Sequence, residues 1–61
     1  MKDIKSMTLE ELTQELAALG EPAFRAGQIY QWMHRGARSF DEMTNLSKPL
    51  RERLKAEYAL T

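Results

Sequence analysis

The chain has 61 residues, in which nine Lys and Arg residues balance nine Asp and Glu residues and no Cys occurs. A chain of this length forms one domain and buries only about 60% of the surface that its extended form exposes. The lack of Cys excludes a disulfide and a thiolate metal site, and the apolar runs are too short to cross a membrane. Residues 1–7 lack the apolar core of a secretory signal, so we expect a cytoplasmic protein. We also expect it to be a monomer.

The first predicted helix covers about residues 9–19 and follows a lead-in, residues 1–7, that we expect to be flexible. Thr8 and Glu11 have the spacing of a capping box, in which each side chain bonds the backbone N–H of the other residue. Gly20 ends the helix, because glycine readily adopts the left-handed conformation found just past helix ends. Leucines recur at helical spacing and form one apolar face, namely Leu9, Leu12, Leu16 and Leu19.

The second predicted helix covers about residues 22–35 and has two distinct sides. Pro22 suits its first turn, where a missing N–H is harmless, and Gly36 suits the position past its end. At about 100° per residue, one broad side collects Ala26, Ile29, Tyr30, Trp32 and Met33. The other side collects Gly27, Gln28, Gln31, His34 and Arg35, with Arg25 at the border. The helix therefore offers a core face and a polar face with positive charge and amides but no acid.

A short helical turn and a third helix complete the predicted fold. Ser39 and Glu42 repeat the capping-box spacing and predict a turn over about residues 40–44. Ser47 is the predicted cap of a helix over about residues 48–58. The sequence thus predicts an all-α fold, a three-helix bundle plus one short helical turn, similar to a helix-hairpin-helix accessory domain and forming a single domain over residues 1–61. The predicted core is Leu12, Leu16, Ile29, Trp32, Met33, Leu50 and Leu54.

The charges are unevenly placed, although they sum to zero. Residues 1–21 carry two cations against five acids, residues 22–61 carry seven cations against four acids, and residues 22–40 contain no acid. Such asymmetry is typical of a nucleic-acid face, although a mixed solvated surface is the simpler interpretation. Arg bonds phosphate, and Gln bonds phosphate, sugar or a base edge. The candidate binding residues are Arg25, Gln28, Gln31, His34, Arg35 and Arg38, with a second strip at Lys48, Arg51 and Lys55.

A structural interpretation competes with a binding role at four residues of the second predicted helix: Arg25, Gln28, His34 and Trp32. Arg25 and Gln28 could instead fasten the helix to neighbouring loops, for example through carbonyl groups around Leu46, and the residue types alone do not separate the two interpretations. His34 suits the last turn of a helix, where a cation meets the negative end of the dipole. Trp32 lies on the apolar side, which favours a place in the core over stacking on a base.

Two stretches carry a resemblance to a known family. They read Phe24-Arg25-Ala26-x-Gln28-Ile29-Tyr30-x-Trp32 and Phe40-x-Glu42-Met43-Thr44-Asn45-Leu46-Ser47-Lys48-x-Leu50-Arg51. Together they resemble the N-terminal accessory domain of the dual-specificity radical S-adenosylmethionine RNA methyltransferases, over about residues 9–60. Enzymes of that family methylate carbon 2 of adenine in 23S ribosomal RNA and in certain transfer RNAs. The resemblance implies that this domain helps to seat the folded RNA.

The catalytic parts of that family are missing from this sequence. The family holds a 4Fe–4S cluster through three cysteines and uses S-adenosylmethionine, whereas this chain has no Cys. Ser39, His34 and Asp41 have the residue types of a nucleophilic triad, but so small a bundle seldom encloses one. We therefore expect no catalytic residue, cofactor or metal here, and an excised or stand-alone front domain without methyl transfer of its own. The implied partners are ribosomal RNA, transfer RNA and the catalytic barrel of a longer enzyme.

Two other classes of function stay open at this point. A helical protein-interaction module could use the same basic face to meet an acidic partner or a neighbouring domain. A DNA-binding helix-hairpin-helix unit would need a hairpin that accepts phosphate, and Glu21 beside Gly20 would repel it. Salt dependence and competition by RNA separate the first of these from RNA docking.

Overall fold

The computed structural model describes residues 2–60, which form three helices and a small pair of strands. Strand β1 is Lys2–Asp3, and a 3₁₀ turn follows at Ile4–Ser6. The helices are α1 (Leu9–Ala18), α2 (Ala23–His34) and α3 (Lys48–Glu57). A second 3₁₀ turn, Phe40–Glu42, lies between α2 and α3, and strand β2 is Tyr58–Ala59. The predicted all-α bundle is confirmed, and the bounds of its three helices were predicted to within one residue.

The ends of α1 follow from local chemistry. The Glu11 N–H donates to the Thr8 hydroxyl at 3.1 Å, and the Thr8 N–H donates to the Glu11 carboxylate at 2.8 Å, so the capping box forms. At the other end Gly20 has φ 81°, and the Glu21 N–H donates back to the Leu16 carbonyl at 2.9 Å. These bonds satisfy backbone groups that a helix end would otherwise leave unpaired. Helix α2 ends in the same way around Gly36, which has φ 87°.

The second predicted capping box does not form. The Ser39 side chain makes no capping bond, and the Glu42 carboxylate accepts from the backbone N–H of Arg38 at 2.9 Å instead. The reason is that this turn is 3₁₀: the Glu42 N–H already donates to the Ser39 carbonyl at 3.3 Å and is not available to the Ser39 hydroxyl. The turn accordingly stops at Glu42 rather than Thr44. Ser47, in contrast, caps α3 as predicted, through the Leu50 N–H at 3.3 Å.

One hydrophobic core joins all three helices and the loop between α2 and α3. Helix α1 contributes two side chains, Leu12 and Leu16, that have no exposed surface. Trp32 and Met33 were predicted core residues, but they are only half-buried and pack against the core from its edge. The buried apolar residues are Ile4, Leu12, Leu16, Ala26, Ile29, Ala37, Phe40, Met43, Leu46, Leu50, Leu54 and Tyr58.

The predicted flexible lead-in is corrected by the structure over the part it describes, residues 2–7; Met1 lies outside the described residues. Ile4 is 0% exposed and belongs to the core, and β1 pairs in parallel with β2 in the register Lys2 to Tyr58. The local sequence around a single Ile carries no periodicity that would reveal this. The pairing joins positions at opposite ends of the chain, and such non-local contacts are not encoded in a sequence window.

Glu15 fastens this strand pair to α1. Its carboxylate accepts from the Tyr58 hydroxyl at 2.6 Å and from the Lys2 ammonium at 2.9 Å. The hydrogen bond from Tyr58, followed by that from Lys2, holds the pKa of Glu15 below its usual value. Burial, followed by the Glu15 contact, raises the pKa of Tyr58. One carboxylate therefore ties together β1, α1 and β2.

None of the helices over residues 2–60 has the length and apolar character needed to cross a bilayer.

Leu16→Ala should lower the free energy of unfolding by about 2–5 kcal/mol, because it leaves a cavity at a fully buried site. A domain of this size has only roughly 3–9 kcal/mol in total. Urea titration followed by circular dichroism measures the change. Leu9→Ala is the matched control, since Leu9 is 43% exposed and should lose much less. Equal losses for the two variants would contradict the core described above.

Tyr58→Phe should reduce the dependence of stability on acid pH. Because the folded pKa of Glu15 is lowered, its contribution is complete above the unfolded value of 4.5 and is lost as the pH falls through the folded pKa. Removing the hydroxyl removes the largest cause of that shift. The melting temperatures of the parent chain and of Tyr58→Phe should therefore differ most at neutral pH. The difference should shrink as the pH falls. A difference that stays constant with pH would contradict this role for Glu15.

Candidate nucleic-acid interface

Four side chains follow one line along the outside of α2: Phe24, Gln28, Gln31 and Arg35. We call them the α2 row. Their spacing of four, three and four residues brings each back to the same side of the helix, over a length of about 16 Å. Gln31 and Arg35 are exposed, Gln28 is half-buried, and Phe24 is 59% exposed. The row contains no acid, so it presents an aromatic ring, two amides and a guanidinium.

Arg25 lies beside the row and is held by the fold. Its Nη1 donates to Gln28 Oε1 at 2.9 Å and to the backbone carbonyl of Asn45 at 3.3 Å. Its guanidinium carbon lies 4.8 Å from the centre of the Phe24 ring, a cation–π distance. The structural alternative for Arg25, a bond to a carbonyl beside Leu46, is therefore what the structure shows. Gln28 supports it through a bond on the same helix.

Trp32 contacts the same loop residue two turns further along α2. Its Nε1–H donates to Asn45 Oδ1 at 2.8 Å, and the Arg35 guanidinium carbon lies 5.7 Å from its ring centre. With the ring half-buried against the core and its N–H bonded, Trp32 is a structural residue, as its place on the apolar side indicated. Sequence reasoning missed Asn45; an Asn before a helix cap indicates a loop but not the residue that it bonds.

His34 lies away from the α2 row. Its ring meets the Tyr30 ring edge-on, with centres 4.5 Å apart. Both rings line an open groove of about 320 Å³, together with Lys5, Met7 and Met33. The groove separates α2 from the N-terminal segment, so His34 and Arg35, neighbours in sequence, face different surroundings.

Arg38 and two residues of the predicted second strip, Arg51 and Lys55, lie around Asp41. Arg38 is exposed and lines an open cavity of about 260 Å³ with Asp41 and Lys55. The Lys55 ammonium lies 2.7 Å from the Asp41 carboxylate and 2.9 Å from that of Glu52, and these hydrogen bonds, Asp41 first, raise the pKa of Lys55. The strip is therefore partly neutralised at its Lys55 end.

The other two residues of the second strip, Arg51 and Lys48, have different surroundings. Arg51 donates from Nη1 to the Asp41 carbonyl at 3.2 Å, which fastens α3 to the second 3₁₀ turn. Lys48 is exposed at the start of α3, three residues after Asn45. The nine candidate residues thus do not form a single face. The α2 row with Arg25 is continuous, whereas His34, Arg38 and the α3 residues lie on other parts of the surface.

Over residues 2–60 the structure does not bring together the residue types of a metal site or of the nucleophilic triad considered above. Within residues 2–60 no group of three His, Asp or Glu side chains is placed to hold a metal ion. The carboxylate of Asp41 is engaged by Lys55, and the structure gives no hydrogen bond joining it to His34 or Ser39. What the site offers is donor groups: guanidinium and amide N–H groups that suit phosphate, sugar or base edges.

The chain was then compared with known proteins. The ribosomal RNA large subunit methyltransferase N-terminal domain family matches residues 2–60. A probable dual-specificity RNA methyltransferase of Lachnoclostridium phytofermentans is 58% identical over 59 residues, which is 95% of this chain and 17% of that protein. A dual-specificity RNA methyltransferase of Myxococcus xanthus is 61% identical over 56 residues, 88% of this chain and 15% of that protein.

A solved structure gives the same result. The crystal structure of a radical SAM methyltransferase from Sphaerobacter thermophilus superposes with a TM-score of 0.94 at 40% identity, over 100% of this chain and 18% of that chain. This chain therefore spans less than a fifth of the proteins it matches.

Asn45→Ala should destabilise the domain by about 0.5–1.5 kcal/mol, because the Trp32 N–H loses its acceptor. The indole N–H resonance of the single Trp reports that bond directly and should shift in the ¹H–¹⁵N spectrum. Asn45→Asp is the control, since it keeps an oxygen at the same place. The bond would be refuted if Asn45→Ala left the indole resonance where it is in the parent chain.

Proposed function

Because this chain belongs to the ribosomal RNA large subunit methyltransferase N-terminal domain family, we propose that it is an RNA-docking front domain. The enzyme it serves is a radical S-adenosylmethionine methyltransferase that methylates carbon 2 of adenine in 23S ribosomal RNA and transfer RNA. The domain helps to seat the folded RNA for the catalytic barrel. The observation that carries the proposal is the acid-free α2 row, with the exposed Arg35 at its end, in a domain of this family.

The chemistry of the row supports RNA over a neutral protein surface. A guanidinium bonds phosphate in a planar, two-pronged geometry, and amides bond both phosphate and the 2′-hydroxyl. Arg35 and Arg38 are exposed and three residues apart, at the end of α2 and just beyond it. Both side chains add positive charge to this surface, and the structure shows no ion pair between either of them and an acid among the described residues. The contact is auxiliary, since a domain with zero formal charge does not concentrate an RNA by its field alone.

The proposal assigns the methyl transfer to protein outside these residues. A radical S-adenosylmethionine enzyme needs thiolates for its 4Fe–4S cluster, and this chain has none. The cluster therefore does not fit the residues of this chain, and the proposal assigns no chemical step to the chain. A cytoplasmic location follows from the proposed substrates and is part of the proposal.

Arg35→Glu with Arg38→Glu should weaken RNA binding by the chain at low salt, because two phosphate contacts become repulsive. An NMR titration with a folded RNA fragment measures it, since the expected affinity is only about 10⁻⁴–10⁻⁶ M. Each lost contact should lower the slope of log K against log salt by about 0.7–0.9. The melting temperature should stay near that of the parent chain.

A second variant separates local contacts from overall charge. Adding Glu10→Lys and Glu57→Lys to the double variant returns the formal net charge to zero, at two exposed acids on α1 and α3. RNA binding should stay weak in this charge-restored chain. If instead the original double variant binds RNA as the parent chain does, the surface is not an RNA surface, and docking to a protein domain takes its place.

A further inference from the structure

We propose that Phe24 stacks on an unpaired base, and that the α2 row is a site for single-stranded rather than duplex RNA. This inference rests on the proposed function and names the kind of RNA segment that the row contacts. The residue types alone do not indicate a binding role for Phe24, which is part of one of the two family motifs. The structure places it at the head of the row.

The first observation is the exposure of Phe24. It is 59% exposed, and Leu9 is the other large apolar side chain that the described part of the chain leaves exposed. Phe24 has a special neighbour, because the Arg25 guanidinium lies over its ring at 4.8 Å. In RNA complexes, unstacked bases are held on aromatic rings or on guanidinium planes, and here the guanidinium packs on one face of a ring that stays largely exposed.

The second observation is that this platform is rigid before any ligand arrives. Arg25 is held by the Gln28 amide oxygen and by the Asn45 carbonyl, so its guanidinium cannot turn freely. Little side-chain entropy is left to lose when a base binds, which favours binding. The amide oxygen of Gln28 is engaged, so its N–H₂ group is the end left to donate.

The third observation is the order of groups along the row. After Phe24 come the amides of Gln28 and Gln31, and then Arg35, whose backbone lies about 16 Å along the helix axis from that of Phe24. A base on Phe24 would have donors beside it for its edge or its 2′-hydroxyl, and a cation further along for a phosphate. The lack of acids on the row matches the negative charge of the strand.

A duplex does not fit this order as well. In a paired helix both faces of each base are covered by neighbouring bases, so an exposed aromatic ring gains nothing from them without unstacking the helix. Unpaired loops, bulges and ends expose base faces, and stacking on them tolerates any base. The row therefore selects the unpaired part of a folded RNA.

The test uses a short unpaired oligoribonucleotide that carries one 2-aminopurine, a base whose fluorescence falls when it stacks. The same strand annealed to its complement is the duplex probe. Phe24→Ala and Phe24→Leu should each weaken binding of the unpaired probe by about fivefold or more, and reduce the quenching. Phe24→Tyr should keep both. Leu9→Ala, which removes the other exposed apolar side chain, should change neither.

The outcomes distinguish this inference from the proposed function. If Phe24→Leu binds and quenches like the parent chain, or if the duplex binds more tightly than the single strand, stacking on Phe24 is refuted. Should the Arg35 and Arg38 variant lose RNA binding in the same experiment, RNA docking itself stands. Should neither set of variants change RNA binding, both the stacking on Phe24 and the RNA-docking role are refuted. Melting temperatures near that of the parent chain show that the variants fold.

Discussion

The surface of this domain depends on Asn45, which fastens the loop before α3 to α2 through two different oxygens. Its backbone carbonyl accepts from Arg25, and its side-chain oxygen accepts from Trp32. These donors are seven residues apart, two turns of the helix, so the loop is held along a length of about 10 Å. Each donor also carries a cation–π pair, Phe24 with Arg25 and Trp32 with Arg35. One loop residue thus sets the position of both aromatic–guanidinium pairs beside the α2 row.

The small size of the domain explains why its two ends are drawn into the fold. A chain of 61 residues has few apolar side chains to bury, and a terminal segment left in solvent would remove its apolar side chains from the core. Ile4 and Tyr58 therefore both enter the core, and the strands beside them satisfy backbone groups that the helices cannot reach. Glu15 on α1 stabilises the pairing of the two ends. It accepts a charge-assisted hydrogen bond from Lys2 and a short hydrogen bond from Tyr58. The outer face of α2 takes no part in this closure.

The features predicted from sequence are those with a short-range cause. The helix bounds, the Thr8 and Ser47 caps and the turn at Gly20 each depend on residues within five positions of one another. The features that were missed are either long-range or a competition between two local bonds. The burial of Ile4 and the bond from Trp32 to Asn45 are long-range, and Ser39 lost its cap because a 3₁₀ bond used the same N–H. The α2 row could be predicted only in part. Helical spacing shows which residues share one side of the helix, but it does not show which of them the loops cover.

The positive charge of the chain is divided between the fold and the surface, and composition does not reveal the division. Arg51 and Arg53 donate to the carbonyls of Asp41 and Leu19, and Lys55 is paired with two acids, so these cations are used to join elements. Arg35 on the α2 row is exposed, whereas Arg25 beside the row is half-buried and held by the fold. In the proposed RNA-docking role, a few exposed cations give only weak binding to RNA by the isolated domain. If a second domain binds the same RNA, these contacts act at a high effective concentration, and weak, oriented contacts are then enough to position it.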